Sequence, residues 1–180
     1  IVVCESELAF LPLGKKSVVA IAVERAKAAH AVKTVSVWLS PVVRNAWAKL
    51  PNTLRPDCVV VEHGTLQEHA KSVSADIVLV HDAQRPLAVS NTFDRVAAAV
   101  TNGITCARPA HVVVDTLKQV DDKGRVTGTF DRNLVQALTS PEGYLRSAIQ
   151  SGDAPENWRL AVSPMTRELV RGDQESLKIR

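Results

Sequence analysis

The chain has 180 residues, of which 46% are apolar and 23% are charged, and its formal net charge is +3. This length and composition are typical of one globular domain with a sizeable core, so we treat residues 1–180 as a single domain. No apolar run in the sequence approaches the length that spans a membrane, and the small net charge gives no reason to expect binding to nucleic acid or to a membrane surface.

The cysteines give an expectation about compartment. Cys4, Cys58 and Cys106 are odd in number and far apart, and no C-x-x-C pattern is present. Such cysteines are typical of reduced, buried thiols, because disulfides are rare in reducing compartments. We therefore expect a cytoplasmic protein. The five histidines lack the spacing of a zinc site.

The first half of the chain alternates between strand and helix patterns. Apolar runs predict strands at 1–4, 35–39, 58–61 and 77–81, and apolar residues at helical spacing predict helices at 18–30, 46–50, 66–73 and 92–102. Ser90 or Asn91 is expected to cap the last of these helices, and Gly103 to end it. The alternation predicts βαβ units and a mainly parallel sheet that is covered on both faces.

The second half breaks this alternation. Extended segments at 110–120 and 124–130 flank the turn sequence Asp-Asp-Lys-Gly at 121–124. This pattern predicts an antiparallel arm that projects from the sheet. A helix is predicted at 142–150, and short strands are predicted at 158–162, 168–170 and 177–179.

The most informative segment is Ile-Val-Leu-Val-His-Asp-Ala-Gln-Arg-Pro at 77–86. Its apolar run predicts a strand buried on both faces, and ligands of a parallel sheet lie just beyond the carboxyl ends of such strands. Asp82 at that point suits a metal ion, and Arg85 suits a phosphate. From the residues alone, Asp82 could equally cap a turn and Arg85 could pair with a surface carboxylate.

Four blocks of the sequence, in the same order, resemble the 2-C-methyl-D-erythritol 4-phosphate cytidylyltransferases. They are H-D-A-Q-R-P at 81–86, V-D-T-L-K at 114–118, F-D-R-N-L-V-Q-A-L-T-S-P at 130–141 and E-L-V-R-G-D-Q-E-S-L-K-I at 168–179. The resemblance implies a three-layer, Rossmann-like α/β nucleotidyltransferase fold, with 110–132 as an arm that forms a homodimer. It also implies that CTP and 2-C-methyl-D-erythritol 4-phosphate are joined with release of pyrophosphate, a step of the non-mevalonate isoprenoid pathway.

The resemblance further implies roles for six residues. Asp82 would contact Mg²⁺ or another divalent cation, and Arg85 and Lys178 would act in catalysis. Thr116, Arg132 and Thr139 would hold the sugar-alcohol phosphate, the first two from the partner subunit. From the residues alone, a lone strand lysine is usually solvated, and threonine and arginine are ordinary hairpin residues.

The sequence departs from the family pattern in its first 75 residues. The family's glycine-rich triphosphate loop, A-A-G-x-G-x-R followed by P-K, is replaced by C-E-S-E-L-A-F-L-P-L-G-K-K, with Leu8 at the position of the catalytic lysine. Further along, T-S-P-E replaces T-P-Q, and the acidic T-D-D/E-A motif is missing. Either an internal loop segment is missing from this sequence, or the cradle for the triphosphate has been lost.

Three functions remain open at this point. The first is the cytidylyltransferase, the second is a ribitol 5-phosphate cytidylyltransferase on the same scaffold, and the third is a catalytically impaired dimeric paralogue that binds a ligand or a partner protein. If Cys4 to Leu8 are truly continuous, we expect no measurable release of pyrophosphate, because losing even one charge-stabilising donor lowers a rate by roughly 10²–10³-fold.

Overall fold

The structure, a computed structural model, describes residues 1–155, 157–163 and 166–180. Within these residues the strands are β1 (Val2–Cys4), β2 (Pro12–Leu13), β3 (Lys16–Ser17), β4 (Ser36–Leu39), β5 (Val59–Val61), β6 (Ile77–Asp82), β7 (Cys106–Val112), β8 (Leu117–Val120), β9 (Val126–Phe130), β10 (Gln136–Leu138), β11 (Glu142–Leu145) and β12 (Arg167–Arg171). The helices are α1 (Val18–Lys27), α2 (Arg44–Lys49), α3 (Leu66–Ser72) and α4 (Ser90–Thr101). No helix in these ranges is long and apolar enough to cross a membrane.

One sheet of eight strands forms the centre of the molecule. Its order is β10-β7-β11-β6-β1-β4-β5, and β12 lies beside β7. Four pairs of strands are parallel: β1 with β4, β1 with β6, β4 with β5, and β7 with β12. Three pairs are antiparallel: β11 with β6, β11 with β7, and β10 with β7. The sheet is therefore mixed and mostly parallel, which confirms the predicted fold class.

Consecutive valines of β1 supply two different cores. Val2 packs on one face with Val23 of α1 and Phe93 of α4, and Val3 packs on the other face with Leu66 of α3 and Leu160. Alternate residues of a strand point to opposite faces of a sheet, so an unbroken apolar strand is what a sheet covered on both faces requires. The three-layer arrangement follows from this pattern.

The helix predicted at 142–150 is wrong. Residues Glu142–Leu145 form β11 inside the sheet, and a short 3₁₀ helix at Arg146–Ala148 follows. Gly143 shows the reason, because a Cβ atom there would lie 2.5 Å from Val96 Cγ1 of α4. Helix α4 thus packs directly on the backbone of β11, and this tertiary packing overrides the local helical pattern.

Two of the three predicted terminal strands are also wrong. Residues 158–162 contribute only an isolated bridge between Val162 and Ile149, and 177–179 form no strand. The third, predicted at 168–170, is confirmed as part of β12. The apolar pattern at 158–162 reflects packing in the core, where Leu160 and Val162 are buried, whereas Leu177 is 68% exposed.

The N-cap predicted for the helix at 92–102, Ser90 or Asn91, is wrong. The N-cap of α4 is Val89, and no side chain caps the helix there. The expected stop is confirmed, because Asn102 is the C-cap and Gly103 follows it with φ +98°. A left-handed backbone after the last turn is the conformation that glycine adopts most readily.

The predicted hairpin is confirmed as β8 and β9, which pair outside the main sheet, but residues 110–112 of the predicted arm belong to β7 inside that sheet. Asp121 organises its turn, since Oδ1 accepts hydrogen bonds from the backbone N–H groups of Lys123 and Arg125 at 3.0 and 2.9 Å. Val120 and Val126 are 59% and 65% exposed. The hairpin therefore leaves apolar side chains uncovered in the single chain.

Candidate active site

The carboxyl ends of β1 and β6 lie side by side and define the site. Val3 of β1 pairs with Asp82, the last residue of β6, whose backbone N–H donates to Ser140 Oγ at 3.0 Å. Asp82 Oδ1 accepts from the N–H of Gln84 at 3.0 Å, so this carboxylate shapes the turn that follows the strand. Asp82 is 5% exposed.

Lys178 reaches Asp82 from the end of the chain. Its Nζ lies 2.8 Å from Asp82 Oδ2. The backbone N–H of Ile179 donates to the carbonyl of Gln84 at 2.8 Å, and Gln84 Nε2 donates back to the carbonyl of Ile179 at 2.7 Å. Because these bonds fix the terminal segment on the turn after β6, they bring together two residues that the sequence predicts to act in one site.

Arg85 lies in the same turn but is engaged with backbone. Its guanidinium donates to the carbonyl of Ser176 and, at 3.4 Å, to the carbonyl of Leu138. Burial and the neighbouring arginines lower the pKa of Arg85, against the opposing effect of Asp82. Arg85 therefore joins the terminal segment to β10 and adds a positive charge to the wall of the site.

Arg159 stands among three carboxylates and was not identified from the sequence. Its Nη2 lies 3.0 Å from Glu5 Oε2 and 3.6 Å from Asp82 Oδ2, and its Nη1 lies 3.4 Å from Glu142 Oε1. Burial opposes the charge of this guanidinium, but Glu5, Glu142 and Asp82 together raise the pKa of Arg159 above its usual value. Arg159 is thus a firmly charged cation at the centre of the site.

Glu142 is a buried carboxylate that holds two arginines. It is 1% exposed, and its Oε1 lies 3.3 Å from Arg108 Nη1 as well as near Arg159. Its Oε2 accepts from Tyr144 Oη and, at 2.9 Å, from the backbone N–H of Arg159. Burial and the adjacent Glu142 raise the pKa of the Tyr144 hydroxyl well above its usual value. Through its ion pair with Nη1 and its hydrogen bond from the backbone N–H, Glu142 holds Arg159 in its orientation.

The two polar residues at the end of β6 differ in charge state. Burial favours protonation of Asp82, but the hydrogen bond from Lys178 and the charge of Arg159 prevail and lower the pKa of Asp82, so it is a carboxylate. Burial lowers the pKa of His81 to about 3, so its imidazole is neutral. His81 Nδ1 lies 2.9 Å from Ser140 Oγ, the same oxygen that accepts from Asp82.

The described residues around Asp82 do not form a protein metal site. Among the described residues, no three His, Cys, Asp or Glu side chains come together to hold a metal ion. Asp82 Oδ2 already faces Lys178 at 2.8 Å and Arg159 at 3.6 Å, and a divalent cation beside two positive groups is unfavourable. These residues therefore do not fit a resident metal ion held by the protein alone.

The segment after β1 contains a helical turn in place of a phosphate loop. Residues Glu7–Phe10 form a 3₁₀ helix, and Ser6 Oγ caps it by accepting from the N–H of Leu8 at 3.3 Å. Glycine-rich loops bind phosphate because their backbone N–H groups are open to it. The absence of the glycine loop was expected from the sequence, but the carboxylate of Glu5, which faces the site here, was not.

The three predicted substrate-binding residues lie in two places. Thr139 is 1% exposed and adjoins the site through Ser140, but its hydroxyl donates to the carbonyl of Pro109 at 3.3 Å. Thr116 is exposed at the base of the hairpin, and the exposed Arg132 donates to the carbonyl of Val114. Within the described ranges, no hydrogen bond or ion pair joins Thr116 or Arg132 to Asp82 of the same chain.

Four charged residues of the site were therefore missed from the sequence: Glu5, Arg108, Glu142 and Arg159. Three of them coincide with departures from the family pattern, because Glu5 follows β1 where the glycine loop is absent, Glu142 is the last residue of T-S-P-E, and Arg159 lies where the acidic motif is missing. Such correlated departures were the only signal in the sequence that could have linked these residues.

A family model of 2-C-methyl-D-erythritol 4-phosphate cytidylyltransferase matches residues 3–179. The enzyme of that name from Frankia casuarinae is 32% identical over 93% of this chain and 67% of that protein, and the one from Nocardia farcinica is 33% identical over 84% and 68%.

This chain belongs to the 2-C-methyl-D-erythritol 4-phosphate cytidylyltransferase family. The crystal structure of the cytidylyltransferase from Thermus thermophilus is similar to it with a TM-score of 0.72, at 20% identity, over 100% of this chain and 92% of that one. At that identity the structural likeness establishes the fold. The chain spans about two thirds of the length of the Frankia and Nocardia cytidylyltransferases.

Proposed function

We propose that this chain is a cytidylyltransferase that joins CTP and 2-C-methyl-D-erythritol 4-phosphate with release of pyrophosphate. The observation that supports it best is the pair formed by Asp82 and Lys178, 2.8 Å apart at the carboxyl ends of β1 and β6. Both residues belong to blocks of the family pattern, and they lie where an α/β sheet binds its ligands. The membership of the family supports the same reaction.

In this reaction a phosphate oxygen of the sugar-alcohol phosphate attacks the α-phosphorus of CTP, and the bond to the β-phosphate breaks. Negative charge moves onto the leaving pyrophosphate, so positioned cations accelerate the step. Lys178 is suited to this role, because its Nζ needs only to turn from Asp82 towards a phosphate oxygen. Mg²⁺ would arrive as part of the nucleotide substrate, with Asp82 as the protein carboxylate beside it.

The sugar-alcohol phosphate would be held by residues of two subunits. Thr116 and Arg132 lie on the arm, and we place them over the site of a partner in a homodimer. The guanidinium of Arg132 suits bidentate binding of a phosphate. Thr139, next to Ser140, would complete the binding site from the same chain as Asp82.

One observation favours a second function, a paralogue that binds the ligands without turnover. The segment after β1 presents Glu5 and a 3₁₀ helix where phosphates are expected, and Arg159 is paired with that glutamate at 3.0 Å. A carboxylate at this position repels a triphosphate. Binding of CTP without release of pyrophosphate would identify this function.

The deciding experiment measures pyrophosphate release from CTP and 2-C-methyl-D-erythritol 4-phosphate by the wild type, Lys178→Met and Lys49→Met. Lys49 is an exposed lysine at the end of α2, so it is a matched control. The missing loop alone predicts no turnover, but Lys178 and Arg159 remain as cations beside Asp82. We therefore expect turnover by the wild type and the control, and a loss of roughly 10²-fold or more in Lys178→Met. Equal rates of Lys178→Met and the wild type would contradict the role of Lys178, and no turnover by the wild type would contradict the enzyme.

A further inference from the structure

We propose that Arg159 is the residue that binds the triphosphate in this chain, and that Glu5 is an internal counterion which the nucleotide displaces. The inference rests on the proposed function and deepens it, because it names the protein group that takes over from the missing glycine loop. It makes Glu5 and Arg159 determinants of nucleotide affinity.

Arg159 lies close enough to Lys178 for both to contact the same phosphate group. Its Nη2 lies 3.6 Å from Asp82 Oδ2, within the same cluster in which Lys178 Nζ lies 2.8 Å from that oxygen. A phosphate group that contacts Lys178 is therefore within reach of Arg159 as well. The planar guanidinium binds phosphate oxygens in pairs, which a single ammonium group cannot do.

The other two arginines of the site, Arg85 and Arg108, already donate hydrogen bonds to backbone carbonyls. Arg85 donates to the carbonyls of Ser176 and Leu138. Arg108 donates to the carbonyl of Thr139 at 3.0 Å and to that of Asn157, and it pairs with Glu142. Both bind backbone that shapes the site, so moving either would disrupt its walls. The contact that Arg159 makes through Nη2 is of a different kind, since its partner is a side chain.

The exposure of the three carboxylates decides which one can leave. The side chain of Glu5 is 47% exposed, whereas those of Asp82 and Glu142 are 7% and 1% exposed. Glu5 can therefore turn into solvent without losing hydration. Glu142 remains in place and keeps Arg159 oriented through Nη1 and through the backbone N–H. Displacement of Glu5 thus leaves Nη2 with only the longer contact to Asp82, at 3.6 Å, while the rest of the side chain stays fixed.

Arg159 must also remain charged for this role. It is surrounded by Glu5, Glu142 and Asp82 in the free protein, and an incoming triphosphate replaces one negative charge by several. The exchange of a half-exposed carboxylate for a polyanion therefore favours the nucleotide. In the free protein each carboxylate of the site has a cation beside it.

The test is calorimetric titration with inorganic pyrophosphate and with CTP, in EDTA, of the wild type, Glu5→Gln and Glu7→Gln. Glu7 is exposed, lies two residues from Glu5 and makes no ion pair among the described residues, so its substitution removes the same charge from the same segment. We expect Glu5→Gln to tighten binding at least about fivefold, because the ligand no longer displaces a charged competitor, and Glu7→Gln to change it less than about twofold.

A double-mutant cycle with Arg159→Ala completes the test. We expect Arg159→Ala to weaken binding at least about tenfold and to abolish the effect of Glu5→Gln, because the two residues act through one contact. Arg159→Lys, which keeps the charge, should bind better than Arg159→Ala. Thermal unfolding of each variant shows whether it folds. If Arg159→Ala does not fold, Arg159→Gln, which removes the charge but keeps a long polar side chain, takes its place in the cycle.

Three results would overturn the proposal: equal tightening by Glu5→Gln and Glu7→Gln, no tightening by Glu5→Gln, or a Glu5→Gln effect that persists without Arg159. The first and the last would mean that only the general charge of the segment matters. These titrations contain neither Mg²⁺ nor the sugar-alcohol phosphate. Their outcome is therefore independent of whether the protein releases pyrophosphate.

Discussion

Asp82 combines a turn hydrogen bond and ion pairs in one side chain, and the two kinds of contact can be separated. Oδ1 holds the turn through the N–H of Gln84, and Oδ2 faces Lys178. Asp82→Asn keeps an oxygen that can accept the turn hydrogen bond, so we expect a stability change of about 1 kcal/mol or less from the turn itself. The substitution removes the charge, so Mg²⁺ should no longer strengthen CTP binding.

Titration of CTP with and without Mg²⁺ measures this effect. The control is Asp57→Asn, which removes the same charge from an exposed position. If Asp82→Asn and the wild type show the same strengthening by Mg²⁺, the metal-side role of Asp82 is rejected, and its turn hydrogen bond and its ion pairs explain the residue.

His81 makes the stability of the protein depend on pH. In the folded state burial lowers its pKa to about 3, whereas in the unfolded chain it protonates near its ordinary pKa of 6.5. Between these values the unfolded state binds more protons, so the free energy of unfolding decreases as the pH falls, by up to about 1.4 kcal/mol per pH unit. The stabilising effect of neutral His81 is complete above pH 6.5.

Denaturant unfolding between about pH 4.5 and 6.5, inside the window set by the two pKa values, measures this slope. His81→Asn should flatten the dependence, while His63→Asn, at an exposed position, should leave it unchanged. The comparison concerns the slope with pH, because the loss of the contact between His81 and Phe93 lowers the stability of the first variant at every pH. An unchanged slope in His81→Asn would refute the assignment.

At the scale of elements, β11 is a strand because of its packing against α4, which a local sequence pattern does not reveal. Gly143 lies so close to α4 that a Cβ atom would be 2.5 Å from Val96 Cγ1 and 3.2 Å from Val100 Cγ2. Gly143→Ala should therefore destabilise the protein by about 1–3 kcal/mol, because inserting an atom into a packed core forces its neighbours apart. Gly103→Ala has open space around it, so it isolates the cost of positive φ from that of crowding.

Thermal unfolding of the two glycine variants, with near-ultraviolet circular dichroism as the probe, distinguishes the causes. If Gly143→Ala lowers the unfolding temperature and the added substitution Val96→Ala restores it, the clash lies between these two residues. A midpoint equal to that of the wild type would mean that α4 does not press on β11 as described.

The arm is the element whose partner the single chain does not supply. A two-stranded hairpin is marginally stable alone in water, and this one exposes Val120, Val126 and Phe130. We expect it to pack against a second arm in a twofold dimer. Leu134→Asp, at a 78% exposed position beside the arm, should give a monomer, whereas Val42→Asp, at a 74% exposed position near α2, should not. Light scattering at micromolar concentration measures both, and a wild-type monomer would contradict the dimer.

The elements with local signals were predictable, and the others depended on distant partners. The apolar runs of β1 and β6 and the periodicity of α1 and α4 identify strands and helices without further information. β11 has a strand neighbour on each side, β6 and β7, which come from earlier parts of the chain. The pair of Glu5 and Arg159 spans 154 positions in the sequence, so no local pattern could indicate it.

At the scale of the whole molecule, the proposed dimer predicts that active sites are shared. If Arg132 acts on the site of the partner and Lys178 on its own, Arg132→Ala and Lys178→Met should each be inactive as homodimers. A mixed dimer contains one site in which both residues are intact. After mixing and exchange, about a quarter of the wild-type activity should return, because half of the dimers are mixed and half of their sites are complete. Pyrophosphate release that stays at the level of the single variants would place both residues in one chain.

The position of β11 also constrains the order in which the sheet can be completed. β6 borders β1 on one side and β11 on the other, but β11 comes after β7, the arm and β10 in the chain. During synthesis the parallel part of the sheet, from β1 to β6, is therefore finished while one edge of β6 still has open N–H and C=O groups. Such an edge recruits other strands, and pairing across long sequence separations is slow. The apolar run that ends at the active site is consequently the segment most exposed to aggregation until residues 142–145 have emerged and closed it.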